Sequence, residues 1–155
     1  MSRLIPKKSV REIDPRSLEE PGLSPEQWKR YTHGADLFNR GAFWEAHEIW
    51  EGVWREREED SRIFFQGIIQ AAAAYHLVFS ARRYTGALNN FSKALTKLAL
   101  FSDTFLGLDV DAIRRRLGEA KDTLVVLGPE KISQFPRSLV PALDIRRQNP
   151  NRSAP

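Results

Sequence analysis

The feature that most constrains the fold is a 19-residue segment without charge, residues 63–81, in a chain of which 28% is charged. Such a segment is just long enough to span a bilayer. However, Gln66, Gln70 and His76 interrupt it, residues 71–74 are all alanine, and each large apolar side chain gains only about 0.3–0.6 kcal/mol on insertion. We therefore predict a buried central helix and no membrane span.

Helix signals lie on both sides of this segment. Ser24-Pro25-Glu26-Gln27 combines an N-cap hydroxyl, a proline at the first helical position and a glutamine three residues after the cap, which predicts a helix starting near Pro25. Gly41 is suited to end that helix. Apolar spacings of three and four residues predict further helices over 43–58, 61–81, 84–102 and 109–127. No segment shows a sustained alternation of apolar and polar residues, so no sheet is predicted.

The length of 155 residues fits one domain. Short connections favour antiparallel neighbours, so the predicted fold is all-α: a compact bundle of about five helices built from two antiparallel helical hairpins plus a C-terminal helix. The predicted organisation is an N-terminal arm (1–23), a single helical domain (24–127) and a basic, proline-rich C-terminal tail (128–155). Both ends lack a helical period, and we expect them to lie on the surface or to be disordered.

The two predicted hairpins share a pattern at an offset of 41 residues. Residues 38–54 align with residues 79–95, so that Ala46 pairs with Ala87 and Trp50 with Phe91. A small residue lets two helices approach closely, and the aromatic side chain fills the groove between them. The pattern resembles a degenerate tetratricopeptide hairpin, whose usual repeat is 34 residues. Since open superhelices need three or more repeats, two copies predict a closed bundle.

Composition excludes several kinds of site. Without cysteine the chain has no disulfide, thiolate zinc site or cysteine nucleophile. The N-terminus lacks the apolar stretch of a signal peptide, so we expect a cytoplasmic protein.

The positive net charge of the chain lies in its two ends. Of the net charge of +4, residues 1–23 supply +1 and residues 128–155 supply +3, because the basic and acidic residues of the other 104 positions are equal in number. Association with nucleic acid through these basic termini is therefore one open interpretation.

The densest group of polar and aromatic residues is the second predicted helix. On a helical projection His47 lies near the apolar face, and Glu48 and Glu51 follow within about 100°. A carboxylate one turn from an imidazole raises its basicity, which suits a metal ligand or a general base. Residues 47–51 also resemble a zincin helix whose second histidine is replaced by glutamate. Three interpretations stay open: a structurally paired histidine, a polar or small-ligand site, and a metal or catalytic site.

His76, in the uncharged segment, is the second candidate. A buried imidazole without a partner costs about 1–3 kcal/mol, and packed helices lie about 8–10 Å apart, so we expect contact with Glu48 or Glu51. Gln66 and Gln70 form an i,i+4 pair that is either partly exposed or completes a polar pocket. The predicted binding residues are His47, Glu48, Glu51, Trp54, Gln70 and His76. For a divalent metal, the candidate ligands are His47, Glu51 and His76, with Glu48 as candidate catalytic base.

Read together, residues 38–54 resemble the small all-helical family called domain of unknown function 309. The family's pattern of an aromatic residue, Glu-Ala-His-Glu, a further Glu and a Trp falls on Phe43, residues 45–48, Glu51 and Trp54. Its glutamine-rich apolar helix, ending near a histidine, matches Gln66, Gln70 and His76. The resemblance implies a compact helical bundle found in prokaryotes and plastid-related lineages, hence a plastid stroma as the alternative location, and no established activity.

The leading functional prediction is a non-enzymatic binding or interaction module with a polar cluster of histidine, glutamate and tryptophan. Its partner would be a protein or a small molecule. The first alternative is a metal-dependent hydrolase that uses His47, Glu48, Glu51 and His76. The second is a nucleic-acid-associated protein that binds through its basic termini.

Overall fold

A computed structural model describes residues 7–146 of the chain. This part contains five α-helices: α1 (Pro25–Asn39), α2 (Phe43–Glu56), α3 (Ile63–Phe79), α4 (Tyr84–Leu98) and α5 (Val110–Leu127). Each packs on the next in chain order, so the predicted all-α bundle is confirmed. Between α4 and α5, β1 (Thr104–Phe105) and β2 (Leu108–Asp109) form a small antiparallel hairpin, which is too short to give an alternating pattern in the sequence.

The helix ends follow local chemistry. Ser24 Oγ accepts a hydrogen bond from Gln27 N, and Ser24 N donates to Gln27 Oε1, both at 3.1 Å, which is the predicted capping box. Asp109 caps α5 by accepting from Ala112 N at 2.9 Å. The turn after α1 places Gly41 at a φ of 84°, a conformation that glycine adopts without steric cost.

Helix α3 is the centre of the bundle. Twelve of its 17 residues are buried, and it packs against both α2 and α4. The absence of charge over residues 63–81 therefore reflects burial against protein on most sides. Among the described residues, no helix combines the length and the apolar character needed to cross a membrane.

The aligned positions of the two hairpins are core positions. Ala46, Trp50, Ala87 and Phe91 are all fully buried. The Trp50 indole donates from Nε1 to the Tyr31 carbonyl oxygen of α1 at 3.0 Å, which satisfies its single donor inside the core. The repeated small and aromatic residues thus pack the helices of each hairpin together.

The C-terminal segment differs from the expected surface arm. Phe135 and Leu143 are buried, and the Tyr75 hydroxyl of α3 donates to the Leu139 carbonyl oxygen at 2.6 Å. The Asn39 side chain at the end of α1 both donates to Leu143 O and accepts from Leu143 N. These apolar residues lie between prolines in a segment without a helical period, so no pattern in the sequence predicts that they are buried.

The N-terminal segment also contributes to the core. Ile13 and Leu23 are buried, and the Glu20 carboxylate accepts a hydrogen bond from Leu106 N in the β-hairpin at 2.9 Å. Residues 1–6 and 147–155 of the predicted arm and tail lie outside the described residues. The division of the chain at residues 24 and 128 stays a prediction.

Candidate functional site

The two predicted histidines meet at an exposed tryptophan. The ring of Trp44, in the first turn of α2, lies parallel to the His47 imidazole, with centroids 4.7 Å apart and planes 8° apart. On its α3 side, Trp44 contacts His76 with centroids 5.2 Å apart. Trp44 is nonetheless 45% exposed. We call Trp44, His47, His76 and Glu51 the Trp44 cluster.

Within this cluster, His47 is held mainly by ring packing. Its Nδ1 is buried without a hydrogen-bond partner, because the nearest carboxylate oxygen, Glu51 Oε2, lies 3.8 Å away. Glu51 instead accepts a hydrogen bond from Arg55 at 2.7 Å. Burial lowers the pKa of His47, the nearby Glu51 and Glu48 carboxylates oppose that shift, and His76 adds to it. His47 is therefore neutral at pH 7.

The predicted contact between His76 and the carboxylate of Glu48 or Glu51 is not formed. No hydrogen bond or ion pair between residues 7 and 146 joins His76 to Glu48 or Glu51. Glu48 is exposed, while His76 packs on the Trp44 ring. The reason is steric, since the flat indole of Trp44 occupies the position next to both imidazoles.

The other predicted binding residues lie at two separate places. The Gln70 side-chain oxygen accepts a hydrogen bond from Lys97 Nζ of α4 at 2.7 Å. Trp54, at the other end of α2, packs under the Arg62 guanidinium, whose central carbon lies 4.3 Å from the ring centroid. Five of the six predicted residues therefore belong to three sites, of which the Trp44 cluster holds His47, Glu51 and His76. The sixth, Glu48, is exposed on α2.

A metal centre is not formed by the candidate ligands. In the part of the chain that the structure describes, no three His, Asp or Glu side chains are placed to hold a metal ion together. His47, Glu51 and His76 share a neighbourhood through Trp44, but their donor atoms do not form a ligand group. The resemblance to a zincin helix is thus limited to the spacing in the sequence.

The buried, neutral state of His47 predicts a pH dependence of stability. Above its ordinary pKa of 6.5, His47 is neutral in both the folded and the unfolded state. Below that pH the unfolded chain takes up the proton first, so the free energy of unfolding falls until the lowered pKa of the folded state is reached. We expect His47→Phe, which keeps a ring beneath Trp44, to reduce this acid destabilisation between about pH 7 and about pH 5, the range in which histidines ordinarily titrate.

Denaturant unfolding at a series of pH values measures this effect. The control is His33→Gln, because His33 is an exposed histidine on α1 and its removal should leave the pH profile of the parent unchanged. Equal pH profiles for His47→Phe and the parent would show that the burial of His47 does not control acid stability.

A cavity that none of the predicted site residues lines lies elsewhere in the described part of the chain. It measures about 930 Å³ and lies between the start of α1, the β-hairpin, the start of α5 and the C-terminal segment. Its acidic side chains already have structural roles: Glu20 accepts from Leu106 N, Asp109 caps α5, and Asp144 pairs with Arg146 at 3.3 Å. Sequence reasoning missed this cleft, because the segments that line it are far apart in the chain.

Comparison with known proteins agrees with the motif in α2. The family described as "Domain of unknown function (DUF309)" matches residues 31–90, which include the whole of α2 and α3. A relative from Aquifex aeolicus (strain VF5), described as an uncharacterized protein, is 33% identical over 96 residues. That match covers 61% of this chain and 28% of the relative, so the chain spans well under half of the relative's length. Residues 31–90 of this chain are therefore similar to the DUF309 family, and their Glu-Ala-His-Glu motif agrees with that similarity.

Proposed function

We propose that this protein is a non-enzymatic interaction module that binds a positively charged peptide segment on the exposed face of α2. The observation that carries the proposal is the Trp44 ring, which is 45% exposed although it is the largest type of apolar side chain. Large aromatic side chains that are fixed and partly exposed are enriched where proteins bind one another. Trp44 is the anchor of this surface.

The charge around Trp44 selects the kind of partner. Residues 41–54 contain three glutamates and no lysine or arginine. Glu45 and Glu48 are exposed, and Glu51 is half-buried. A lysine or arginine of a partner could lie over the indole, an interaction worth about 0.5–1 kcal/mol at an exposed site, while the glutamates attract it from a distance.

The packing beneath Trp44 favours binding. The ring lies flat on His47 and against His76, so its rotamer is already restricted in the free protein. A side chain that is fixed before binding loses less conformational entropy when the partner arrives. Because His47 is neutral at pH 7, it does not repel a cationic ligand.

A titration with a short peptide rich in lysine and arginine tests this function. We expect saturable binding that weakens as salt is added, and Trp44→Ala should weaken it roughly two- to fivefold, as the loss of a cation–π contact predicts. Calorimetry gives the affinity, and the NMR signal of the Trp44 indole N–H reports the site. Glu48→Gln should weaken binding by a smaller factor.

Matched controls lie on α5. Val126→Ala removes an exposed apolar side chain and Glu119→Gln removes an exposed carboxylate, and neither should change the affinity. A peptide with glutamate at each basic position should not bind. Equal affinity of the parent and Trp44→Ala for the basic peptide would contradict the proposed surface.

The two alternative functions have less support. For a metal-dependent hydrolase, the candidate ligands in residues 7–146 do not form a group that could hold the ion. For binding of nucleic acid, part of the basic tail already has intramolecular partners: the Arg137 guanidinium lies 4.7 Å from the centroid of the Phe79 ring, and Arg146 pairs with Asp144. These contacts leave fewer free cations for phosphates.

A further inference from the structure

A lysine is buried between α3 and α4, apart from the Trp44 cluster. Lys97 is only 9% exposed, and its Nζ donates to Gln70 Oε1 at 2.7 Å. An ammonium group has three N–H donors. Since Gln70 is its hydrogen-bond partner in the described part of the chain, two donors of Lys97 have no protein acceptor there.

Within the described residues, the charged side chains that act on Lys97 have its own sign. Lys93 stands one turn earlier on α4, and Lys7 approaches from the N-terminal segment. Burial lowers the pKa of Lys97 to about 8, and the positive charges of Lys7 and Lys93 contribute to this. No carboxylate within residues 7–146 forms an ion pair with Lys97. An ammonium buried without a countercharge is costly.

Packing alone does not account for a lysine here. The facing residue of α3 is Gly67, where an added Cβ would lie 2.8 Å from Leu98 Cδ2 and 3.6 Å from Lys97 Cβ. The two helices are therefore in close contact beside the lysine stem. A methionine of similar length would fill this interface without the cost of burying a charge.

We propose that Lys7, Lys93 and Lys97 form a binding site for an oxyanion, namely a phosphate or carboxylate group carried by a ligand. The oxyanion would supply the missing negative charge and accept the two unused N–H donors of Lys97, as charge-assisted hydrogen bonds. Gln70 positions the ammonium from below. Lys7 and Lys93 are exposed, so their charges would attract the anion from solvent toward Lys97.

NMR of the full-length protein tests this site with two probes, inorganic phosphate and acetate, each compared with sodium chloride at the same ionic strength. We expect a saturable shift of the Lys97 Cε–Hε signals that chloride does not produce. Because the bound anion favours the charged lysine, the pKa of Lys97 should rise on binding. A response to phosphate alone identifies a phosphate site, and a response to acetate alone identifies a carboxylate site.

Three variants separate the site from general screening. Lys97→Met keeps the length of the side chain and should abolish the saturable shifts of neighbouring α4 amides, while Lys93→Gln should weaken binding roughly two- to fivefold. Lys29→Gln, which removes an exposed lysine of α1, should leave the affinity unchanged. The proposal is wrong if neither anion gives a saturable shift, or if folded Lys97→Met binds phosphate or acetate as tightly as the parent.

Discussion

Replacing Gly34 with alanine is expected to destabilise the protein by about 3 kcal/mol, near the upper end for overpacking a core. Gly34 lies in the middle of α1, where the Trp50 indole of α2 crosses it. An added Cβ would lie within 2.6 Å of Trp50 Cδ1 and still closer to Nε1. Trp50 is fully buried against Phe38, so it has no room to move, and any shift would break its hydrogen bond to the Tyr31 carbonyl.

Thermal and denaturant unfolding measure this loss, which corresponds to a lowering of Tm by roughly 6–12 °C for a chain of this size. Gly118→Ala is the matched control. That glycine lies within α5 with no heavy atom near the added Cβ, so alanine should stabilise the helix by up to about 1 kcal/mol. Similar stabilities for the two variants would show that the Trp50 indole does not lie on Gly34.

A double variant identifies the contact responsible. Trp50→Phe makes the facing side chain smaller and removes its N–H, so Gly34→Ala should cost less in that background than in the parent. The coupling between the two substitutions, obtained from the four proteins of the cycle, is expected to be favourable by about 1 kcal/mol or more. Strict additivity would assign the cost to another contact.

Replacing Phe135 with alanine is expected to destabilise the protein by about 3–5 kcal/mol, as for other buried phenylalanines. Phe135 is 5% exposed, and it packs against three rings of the bundle: Tyr75 and Phe79 of α3 and Phe91 of α4. The contact joins the C-terminal segment to the same core that α3 and α4 form. Its loss should therefore lower the stability of the whole bundle.

The control for Phe135 is Val126→Ala, which shortens an apolar side chain that is 85% exposed and should change stability by no more than about 0.5 kcal/mol. Hydrogen exchange adds a local measurement, because the Leu143 amide donates to the Asn39 side chain at 2.8 Å and should lose protection in Phe135→Ala. If Phe135→Ala were as stable as Val126→Ala, the C-terminal segment would be a surface arm, as its proline content suggests.

The helices could be predicted because their signals are local. The capping box at Ser24 and the cap at Asp109 form between residues three apart, and the apolar period of each helix is set within a few turns. Predicted starts at Pro25, Phe43 and Tyr84 agree with the structure, whereas α3 begins two residues later and ends two residues earlier than predicted. Such differences at helix ends are expected, since terminal turns are often irregular.

The candidate site could be predicted only in part. The cost of burying an imidazole and the spacing of packed helices predict that His76 lies near the acidic side of α2, and the resemblance to the DUF309 family comes mainly from residues of α2 and α3. The structure adds that Trp44 lies against both imidazoles. The helical pattern assigns Trp50 to the groove between the helices and does not place Trp44 there, but it does not predict these ring contacts. Which tryptophan is buried and which is exposed depends on what each helix face meets.

The sequence by itself determined the helices, their caps, the burial of α3 and the resemblance of residues 31–90 to the DUF309 family, because periodicity, capping and a contiguous motif involve neighbours along the chain. Only the tertiary structure decided that Phe135 enters the core, that Trp44 contacts both His47 and His76, and that Lys97 is buried beside Gln70. Those outcomes depend on contacts between residues distant in sequence. Their energies arise from the packing of helix faces and the removal of water, which no local pattern contains.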